Sequence, residues 1–340
     1  VLTSYAGYST DGSILKQSSS GGMFGSFAKY LFNSNTNVKV FAVKNDLGKV
    51  VYEICTDYRD LEQFYKSKYC QAFLNKAFYE RLISAISNEA VCLIIGTPCV
   101  LSGIKNTLLA QKAKLTSCIF VDLVCHGVMS QSVYHTHLEE CKKRWGGVVT
   151  QHYFRYKRAV TKDCPEGSHW NLYKVNNEII IKKSDDDYYM QTYFADLAMR
   201  ETCYCCQFTG TNRIGDITIG DFNNAHILCS QFDGLRSVSL VLVNTDKGQR
   251  FIDECNNNTV NLQPVDIKLL QKFNTPLTAP IKRPFQRSLF YTFYNSLGLS
   301  RTVSLLNYKY YLRKIIVAFG GKKLLLKIKA LLGRSYIDIE

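Results

Sequence analysis

The sequence of 340 residues lacks the features that mark membrane, secreted and repeat proteins. No apolar run approaches the roughly eighteen residues that a membrane-spanning helix needs, and the longest candidate, AVCLIIGTPCVL, is interrupted by Gly and Pro. The opening VLTSYAGYSTDG has neither a basic start nor an apolar segment, so no secretory leader is visible. Because the sequence begins with Val1 rather than Met, a longer natural N-terminus is expected. These absences predict a globular protein in the cytoplasm.

Phosphate-binding fingerprints of the Walker and Rossmann types are also missing, yet residues 18–22 read SSSGG directly before MFGSFAKYLF, which has helical periodicity. A single serine is enough to cap a helix. Five small residues in a row leave several backbone N–H groups uncovered beside the positive end of the helix dipole, where an anion can approach closely. The pattern therefore favours an anion cradle, with plain helix capping as the alternative. Its members are Ser18, Ser19, Ser20, Gly21 and Gly22.

A disulfide framework is not expected for the thirteen cysteines, because no leader is visible. Most of them lie in apolar patterns, where a free thiol packs as a small hydrophobe. Cys99 and Cys125 differ, because each comes just after a short, continuously apolar run, VCLIIG and CIFVDLV. These runs alternate with helical patterns and predict parallel strands, whose carboxyl ends share one edge of the sheet. We therefore expect the two thiols to lie near one another.

Cys203 and Cys206 form a C-x-x-C at the end of a predicted helix, with Cys205 between them. Four thiolates from three chain positions fit either a zinc site or a [4Fe–4S] cluster, and spacing does not choose between them. The surroundings favour the cluster. Lys68 and Tyr69 place a cation and an aromatic ring in a loop near the cradle, and a phosphate-bearing cofactor beside thiolates is a redox arrangement.

Three further polar residues have two interpretations each. His126 either moves protons at the redox site or is an ordinary turn histidine. Arg213 either contacts phosphate or is a surface charge. Asp221, in the run DITIGDF, either lies near the cofactor or on an exposed strand face.

The remaining pattern predicts an α/β fold of the α+β kind, with a partly parallel βαβ core and an antiparallel extension. The expected division is a main domain over residues 1–295, with a βαβ-rich part at 1–147 and a mixed part at 148–295. A basic helical tail follows at 296–340. The net charge is +14, but residues 301–340 hold nine Lys or Arg against two acids. That tail suits a membrane surface or an acidic partner, with a solvated helix pair as the alternative. A zinc-stabilised nucleic-acid binder is disfavoured, and no nucleic acid is expected as a partner, because the charge lies away from the cysteines.

Taken in order, several strings resemble the beta subunit of coenzyme F420-reducing hydrogenase and dehydrogenase and its bacterial relatives, many of which occur in surface-polysaccharide gene clusters. The matching strings are SSSGGMF, SKYCQ, GTPCVLSGIK, DLVCHGVMSQ, FRYK, RETCYCCQF, RIGDITIGDF, SVSLVLVNT and RPFQR. They span about residues 5–290. Each string is weak alone, whereas the ordered set is specific.

The resemblance implies an oxidoreductase with FAD and a [4Fe–4S] cluster. It places the FAD diphosphate on the SSSGG segment, with Lys68, Tyr69, Gly96, Thr97 and Pro98 in the cofactor site, and gives catalytic roles to Lys68 and His126. The implied cluster ligands are Cys99, Cys125, Cys203 and Cys206, although Cys205 could replace either of its neighbours. Electrons would pass through FAD between a reduced carrier, such as an F420H2-like deazaflavin, ferredoxin or a nicotinamide, and the cluster or a substrate. The implied location is cytoplasmic, peripheral to the inner face of the membrane if the tail binds there.

Two departures from the family pattern keep a second interpretation open. Relatives read GDFWG where this sequence has GDFNN, so that Asn223 replaces a large aromatic residue. Many bacterial relatives also carry an N-terminal ferredoxin-like segment, and no such cysteine run occurs here. The electrons are thus expected from a separate donor or from a segment before Val1. The alternative is a non-catalytic binding or scaffold protein of polysaccharide assembly that retains the fold.

Overall fold

The structure is a computed structural model that describes residues 1–46, 48–157, 170–222, 225–229, 232, 237–256 and 258–307. Asn223 and residues 308–340, which hold most of the predicted basic tail, lie outside the described residues. Among the described residues, no helix is long and apolar enough to cross a membrane.

An eight-stranded sheet carries the architecture, with the strand order β11-β1-β10-β9-β5-β4-β2-β3. A second sheet has three antiparallel strands in the order β6-β7-β8. The strands are β1 (Thr3–Ser9), β2 (Val38–Asp46), β3 (Lys49–Cys55), β4 (Val91–Gly96), β5 (Cys118–Leu123), β6 (Val149–Tyr153), β7 (Trp170–Val175), β8 (Glu178–Lys183), β9 (Ile217–Asp221), β10 (Ser239–Val243) and β11 (Val260–Pro264). The predicted α/β class, partly parallel with an antiparallel extension, is confirmed.

The helices cover both faces of the large sheet and the side of the small one. They are α1 (Gly12–Gln17), α2 (Met23–Ser34), α3 (Lys76–Ser87), α4 (Pro98–Ala110), α5 (Gln131–Trp145), α6 (Tyr188–Phe194), α7 (Ala225–Leu228), α8 (Asp246–Cys255), α9 (Ile267–Phe273), α10 (Gln286–Leu297) and α11 (Leu299–Leu306). Short 3-10 helices form at Tyr58–Phe64, Ser184–Asp186, Glu201–Cys203 and Thr275–Leu277.

The parallel centre consists of β2, β4, β5 and β9. Its middle follows the predicted β-α-β-α order, with Gly96 of β4 in register with Asp122 of β5. Apolar residues cover both faces of β4, which is why its sequence, VCLIIG, is continuously apolar rather than alternating. Because β4, β5 and β9 are parallel, the segments that follow them all leave the sheet at one edge, called here the carboxyl edge.

The strands β1 and β11 were not predicted from the sequence, and they extend the sheet beyond its parallel centre. β1 pairs antiparallel with β10 on one side and with β11 on the other. The sequence of β1, TSYAGYS, has only Thr3, Tyr5 and Tyr8 of the strand-favouring types, so its conformation also depends on these two partners. Because β1 runs in the same direction as β9, its last residue, Ser9, lies at the carboxyl edge.

The start of the predicted tail packs on the main body. Leu299 and Val303 of α11 are buried, and the carboxylate of Glu140 on α5 accepts hydrogen bonds from the backbone N–H groups of Leu299 and Ser300 at 2.7 and 2.9 Å. The carboxylate thus caps α11 by accepting hydrogen bonds from N–H groups that have no partner within the helix.

Candidate functional site

The three serines of the 18–22 segment hold the loop itself together. The Ser18 hydroxyl donates to the Ile14 carbonyl at 2.7 Å, and the Ser19 hydroxyl accepts from the Ser67 N–H at 2.9 Å. The Ser20 hydroxyl donates to the Val238 carbonyl at 3.2 Å. The hydroxyls of Ser19 and Ser20 therefore connect the loop to the SKY segment (residues 67–69) and to the residue just before β10.

The backbone of the same loop has N–H groups without protein partners in the part of the chain that the structure describes. Among the described residues, no protein acceptor receives the N–H groups of Ser19, Ser20 or Gly22. Helix α2 begins directly afterwards, and no side chain of the described part of the chain caps its first turn. Gly22 has φ +86°, and a Cβ on Gly21 would lie 2.6 Å from the Gly7 carbonyl oxygen, so glycine is required at both positions. The loop thus presents open N–H groups at the positive end of α2.

Three lysines around this loop direct their ammonium groups at backbone carbonyls. The Lys157 ammonium donates to the carbonyls of Leu15 and Ser20 at 2.8 and 2.9 Å. That of Lys66 donates to the Gln17 carbonyl at 3.0 Å. Lys68 is partly buried and donates to two carbonyls of the preceding turn, each at 2.7 Å. Within the described residues, none of the three forms an ion pair.

Burial without a paired counter-charge disfavours the protonated form of these lysines. Desolvation, assisted by the nearby Lys66, lowers the pKa of Lys68 to about 7. Desolvation together with Arg155 and Lys66 lowers the pKa of Lys157 to about 8. A bound anion would stabilise the protonated form of these amines strongly, because it would supply the negative charge that the surrounding protein lacks.

The cysteines Cys99, Cys125, Cys203 and Cys206 lie close enough to act on one another electrostatically. Burial, together with the nearby Cys99, Cys203 and Cys206, raises the pKa of Cys125 to about 12. Burial also raises the pKa of Cys203, with Cys99 and Cys206 acting in the same direction. The described residues contain no group of three His, Cys, Asp or Glu side chains at the spacing of a single metal ion. The role of these four residues as ligands stays a prediction.

Cys99 lies on the first turn of α4, immediately beyond the carboxyl edge, and is exposed. The Thr97 hydroxyl is 3.5 Å from its sulfur. Gly96 has a structural requirement of its own, because a Cβ there would lie 2.0 Å from the Tyr52 hydroxyl oxygen. Pro98 occupies the first helical position, where its missing N–H costs nothing.

Cys205 differs from its two neighbours in the C-x-x-C. It is exposed, and its sulfur lies 4.0 and 3.9 Å from the carbonyls of Glu201 and Thr202. Cys203 and Cys206 are both partly buried, and both act on the ionisation of Cys125. This geometry favours Cys203 and Cys206 over Cys205 as the pair that faces Cys125.

Two tyrosines connect the lysines to the thiols. The rings of Tyr69 and Tyr193 have centroids 4.5 Å apart, and that of His126 lies 5.7 Å from Tyr193. His126 Nε2 is 2.7 Å from the carboxylate of Asp196, so the imidazole has a fixed orientation next to Cys125. Asp196 has φ +55°, in the left-handed region that aspartate adopts more readily than most residues, and its carbonyl accepts the Tyr204 hydroxyl.

Arg155 was missed as a site residue in the sequence, where it appeared only within the string FRYK. It pairs with Asp221 at the end of β9, and its positive charge acts on the nearby Tyr69. Its Nε–H is buried and has no acceptor among the described residues. Its φ is +53°, so the surrounding structure holds it in a strained conformation. Asp221 therefore belongs to this site through Arg155.

Arg213, predicted from the sequence either to contact phosphate or to be a surface charge, has a structural role instead. It forms a buried ion pair with Asp122 at 2.9 Å, with side chains 1% and 0% exposed. The other carboxylate oxygen of Asp122 accepts the N–H groups of Ile214 and Gly215, both at 3.0 Å. The pair therefore fixes the 208–215 segment against β5.

Comparisons with known proteins identify the family to which this arrangement belongs. The C-terminal model of the coenzyme F420 hydrogenase/dehydrogenase beta subunit matches residues 90–268, and the N-terminal model of the same beta subunit matches residues 4–78. The chain belongs to this family. Membership in the F420 hydrogenase/dehydrogenase beta subunit family indicates an electron-transfer role in an oxidoreductase and agrees with the resemblance found in the sequence.

Solved structures share the fold. Thirteen chains match, among them one from the F420-reducing [NiFe] hydrogenase complex of Methanosarcina barkeri, with a TM-score of 0.54 and 14% identity. The match covers 81% of this chain and 88% of that chain. At this identity the likeness shows the fold alone. No curated protein matches the chain significantly.

Proposed function

We propose that the chain is a flavin- and iron–sulfur-dependent oxidoreductase that passes electrons between a reduced carrier and a cluster or substrate through FAD. The observation that carries this proposal is the arrangement of the carboxyl edge. Within the described residues, open N–H groups and lysines without ion pairs lie at one end, thiols lie at the other, and two neighbouring tyrosines connect them.

The residues at the first end fit a diphosphate. The 18–22 loop offers backbone N–H groups, while Lys66 and Lys157 have their ammonium groups on carbonyls in or just before this loop. The serine hydroxyls are used to build the loop, so we assign recognition to the backbone and the amines. A buried cation without a partner is costly, and a bound diphosphate would remove that cost.

The residues at the second end fit a cluster with four thiolate ligands. Cys125 is partly buried, and the thiols of Cys99, Cys203 and Cys206 act together with desolvation to raise its pKa. A tetrahedral zinc site places sulfurs about 3.8 Å apart, since the zinc–sulfur bond is about 2.3 Å. In a four-iron cluster, metal and sulfide atoms lie between the cysteines, so the thiols surround a larger volume. The four thiols influence one another, yet no three of the described side chains have single-ion spacing, which agrees with the second case.

The residues between the two ends have roles that follow from their contacts. When bound, FAD would accept a hydride and return single electrons. Arg155 and the neighbouring Tyr69 would orient the polar part of the ring. His126, held by Asp196, would keep a proton available on the thiol side. Lys68 is partly buried on the SKY segment and would favour negative charge on its neighbours.

The test is anaerobic purification followed by flavin and iron determination and an absorption spectrum. We expect one FAD and one four-iron cluster per chain. Cys125→Ser should lose iron and retain flavin, because the two ends of the site are built from different residues. Cys205→Ser is the matched control and should retain both. Purified protein with neither flavin nor iron would contradict the proposal and favour the scaffold alternative.

The substrate, partner and location belong to the same proposal. We place the reaction in the cytoplasm and name a sugar or sugar substituent of surface-polysaccharide biosynthesis as the substrate class, on the sequence resemblance alone. Electron supply by a separate redox protein is supported by the hydrogenase complex that contains the structural neighbour.

A further inference from the structure

Helix α10 exposes a row of large apolar side chains. Phe285, which immediately precedes the helix, is 87% exposed, and Leu289 and Leu297 are 46% and 39% exposed. With the partly buried Phe293 they recur every four residues and form one continuous stripe, called here the α10 ridge. Arg287 and Phe290 of the same helix are buried and attach it to the body of the protein. A row of this kind on a protein surface marks an interaction site more often than isolated apolar residues do.

The ridge begins beside the C-x-x-C segment. Arg283 and Arg287 both bind the carboxylate of Glu201, through their Nε atoms at 2.8 and 3.0 Å. Glu201 opens the 3-10 helix that ends at Cys203. The Arg287 guanidinium also donates to the Tyr204 hydroxyl at 3.1 Å. The start of α10 is thus attached directly to the segment that carries two of the proposed cluster ligands.

The border of the ridge is positively charged. Glu201 is shared by two arginines, which leaves one positive charge in that group. Lys282 and Arg200 are exposed and adjoin these residues in sequence, and neither forms an ion pair within the described ranges. An apolar centre with a cationic border is complementary to a partner that has an apolar patch surrounded by acids.

We propose that the α10 ridge and its basic border dock an acidic one-electron carrier protein next to the thiols. This inference rests on the proposed function, and it names the partner. A membrane surface would also fit an apolar row with basic residues. The attachment of the ridge to the C-x-x-C segment favours the carrier, because electron transfer requires close approach to the cluster, whereas a membrane anchor has no such requirement.

The electron balance of the docking event is simple. Each encounter moves one electron from the carrier to the chain, and the carrier is oxidised by one electron. Two encounters, with protons taken from water, supply the electron pair that a two-electron reduction requires.

The test measures the second-order rate at which a reduced acidic ferredoxin reduces the anaerobically purified full chain, with dithionite as the small-molecule comparison. In the double variant Phe285→Ser, Leu289→Ser, the ferredoxin rate should fall by about tenfold or more, because exposed aromatic residues dominate such interfaces. The dithionite rate should not change. Lys282→Glu should lower the ferredoxin rate at low salt and weaken its salt dependence. Ile179→Ser, which removes an apolar side chain 60% exposed on β8, is the matched control and should change nothing.

Binding of oxidised ferredoxin, measured by calorimetry, separates this inference from the proposed function, because binding requires no electron transfer. If the spectrum shows no cofactor but the ridge variant loses ferredoxin binding, the docking surface stands and the redox assignment fails. Equal ferredoxin rates in the ridge variant and the unmodified protein would overturn the inference. Loss of binding to anionic phospholipid vesicles, with an unchanged ferredoxin rate, would overturn it in favour of a membrane.

Discussion

The cations in the interior of this chain form two sets, which differ in whether a carboxylate pairs with them. Arg213 is paired with Asp122, and its remaining N–H groups donate to the carbonyls of Phe208, Gly210 and Leu123. Lys68 and Lys157, within the described residues, donate to carbonyl oxygens alone. The first set is complete within the protein. The second has no negative charge paired with it in the part of the chain that the structure describes, and under the proposed function a bound anion would supply that charge.

The largest effect is expected when the complete pair is broken. Asp122→Ala leaves the Arg213 guanidinium buried without a counter-charge and removes the acceptor of two backbone N–H groups. We expect a loss of about 3–5 kcal/mol in the free energy of unfolding, measured by denaturant titration. Glu53→Ala, which breaks the more exposed pair with Arg81, is the control and should cost about 1 kcal/mol or less. Equal losses in both variants would refute the distinction.

Removing a cation that has no counter-charge should lower the affinity for the ligand without lowering the stability of the protein. Lys157→Met should leave the ligand-free protein equally stable or more stable, because a desolvated charge disappears. Its affinity for FAD should fall by about 1.5–3 kcal/mol, the range for a hydrogen bond to a charged group, measured by fluorescence titration. Lys16→Met removes an exposed lysine of α1 and should leave the affinity unchanged. A destabilised Lys157→Met protein with normal affinity would make Lys157 a structural residue.

Features that depend on neighbouring residues could be predicted from the sequence, whereas features that depend on contacts between distant segments could not. The β4-α4-β5-α5 unit was predictable, because its signals are local and continuous. The 18–22 segment was located by its composition, but the roles of its hydroxyls were not, because Ser20 meets Val238 at a separation of 218 residues. Lys157 and Arg155 looked like ordinary charges, since their burial arises only when the chain after β6 returns to the loop.

The loop conformation can be tested separately from its charge. Gly22→Ala places a Cβ in the left-handed region at φ +86°, where it would lie 2.9 Å from the Cβ of Ser9. We expect a cost of about 1–2 kcal/mol in the free energy of unfolding of the ligand-free protein. Gly12→Ala, which meets nothing within 4 Å, should be neutral or stabilising. A neutral Gly22→Ala variant would show that the loop does not require this geometry.

The smallest effect, and the one that tests the incomplete set most directly, is the change in FAD affinity over a single pH unit near neutrality. In the ligand-free protein the pKa of Lys68 is about 7 and that of Lys157 is about 8, so both lose their protons as the pH rises through this range. A bound diphosphate raises both pKa values, so binding takes up protons and affinity must fall with increasing pH. If both lysines must be protonated, the affinity drops roughly fourfold between pH 6.5 and 7.5. The dissociation constant, measured from pH 6 to 9, checks this expectation. Lys157→Met should lose the step near pH 8 and keep the one near pH 7, whereas a flat profile in the unmodified protein would place the diphosphate away from these lysines.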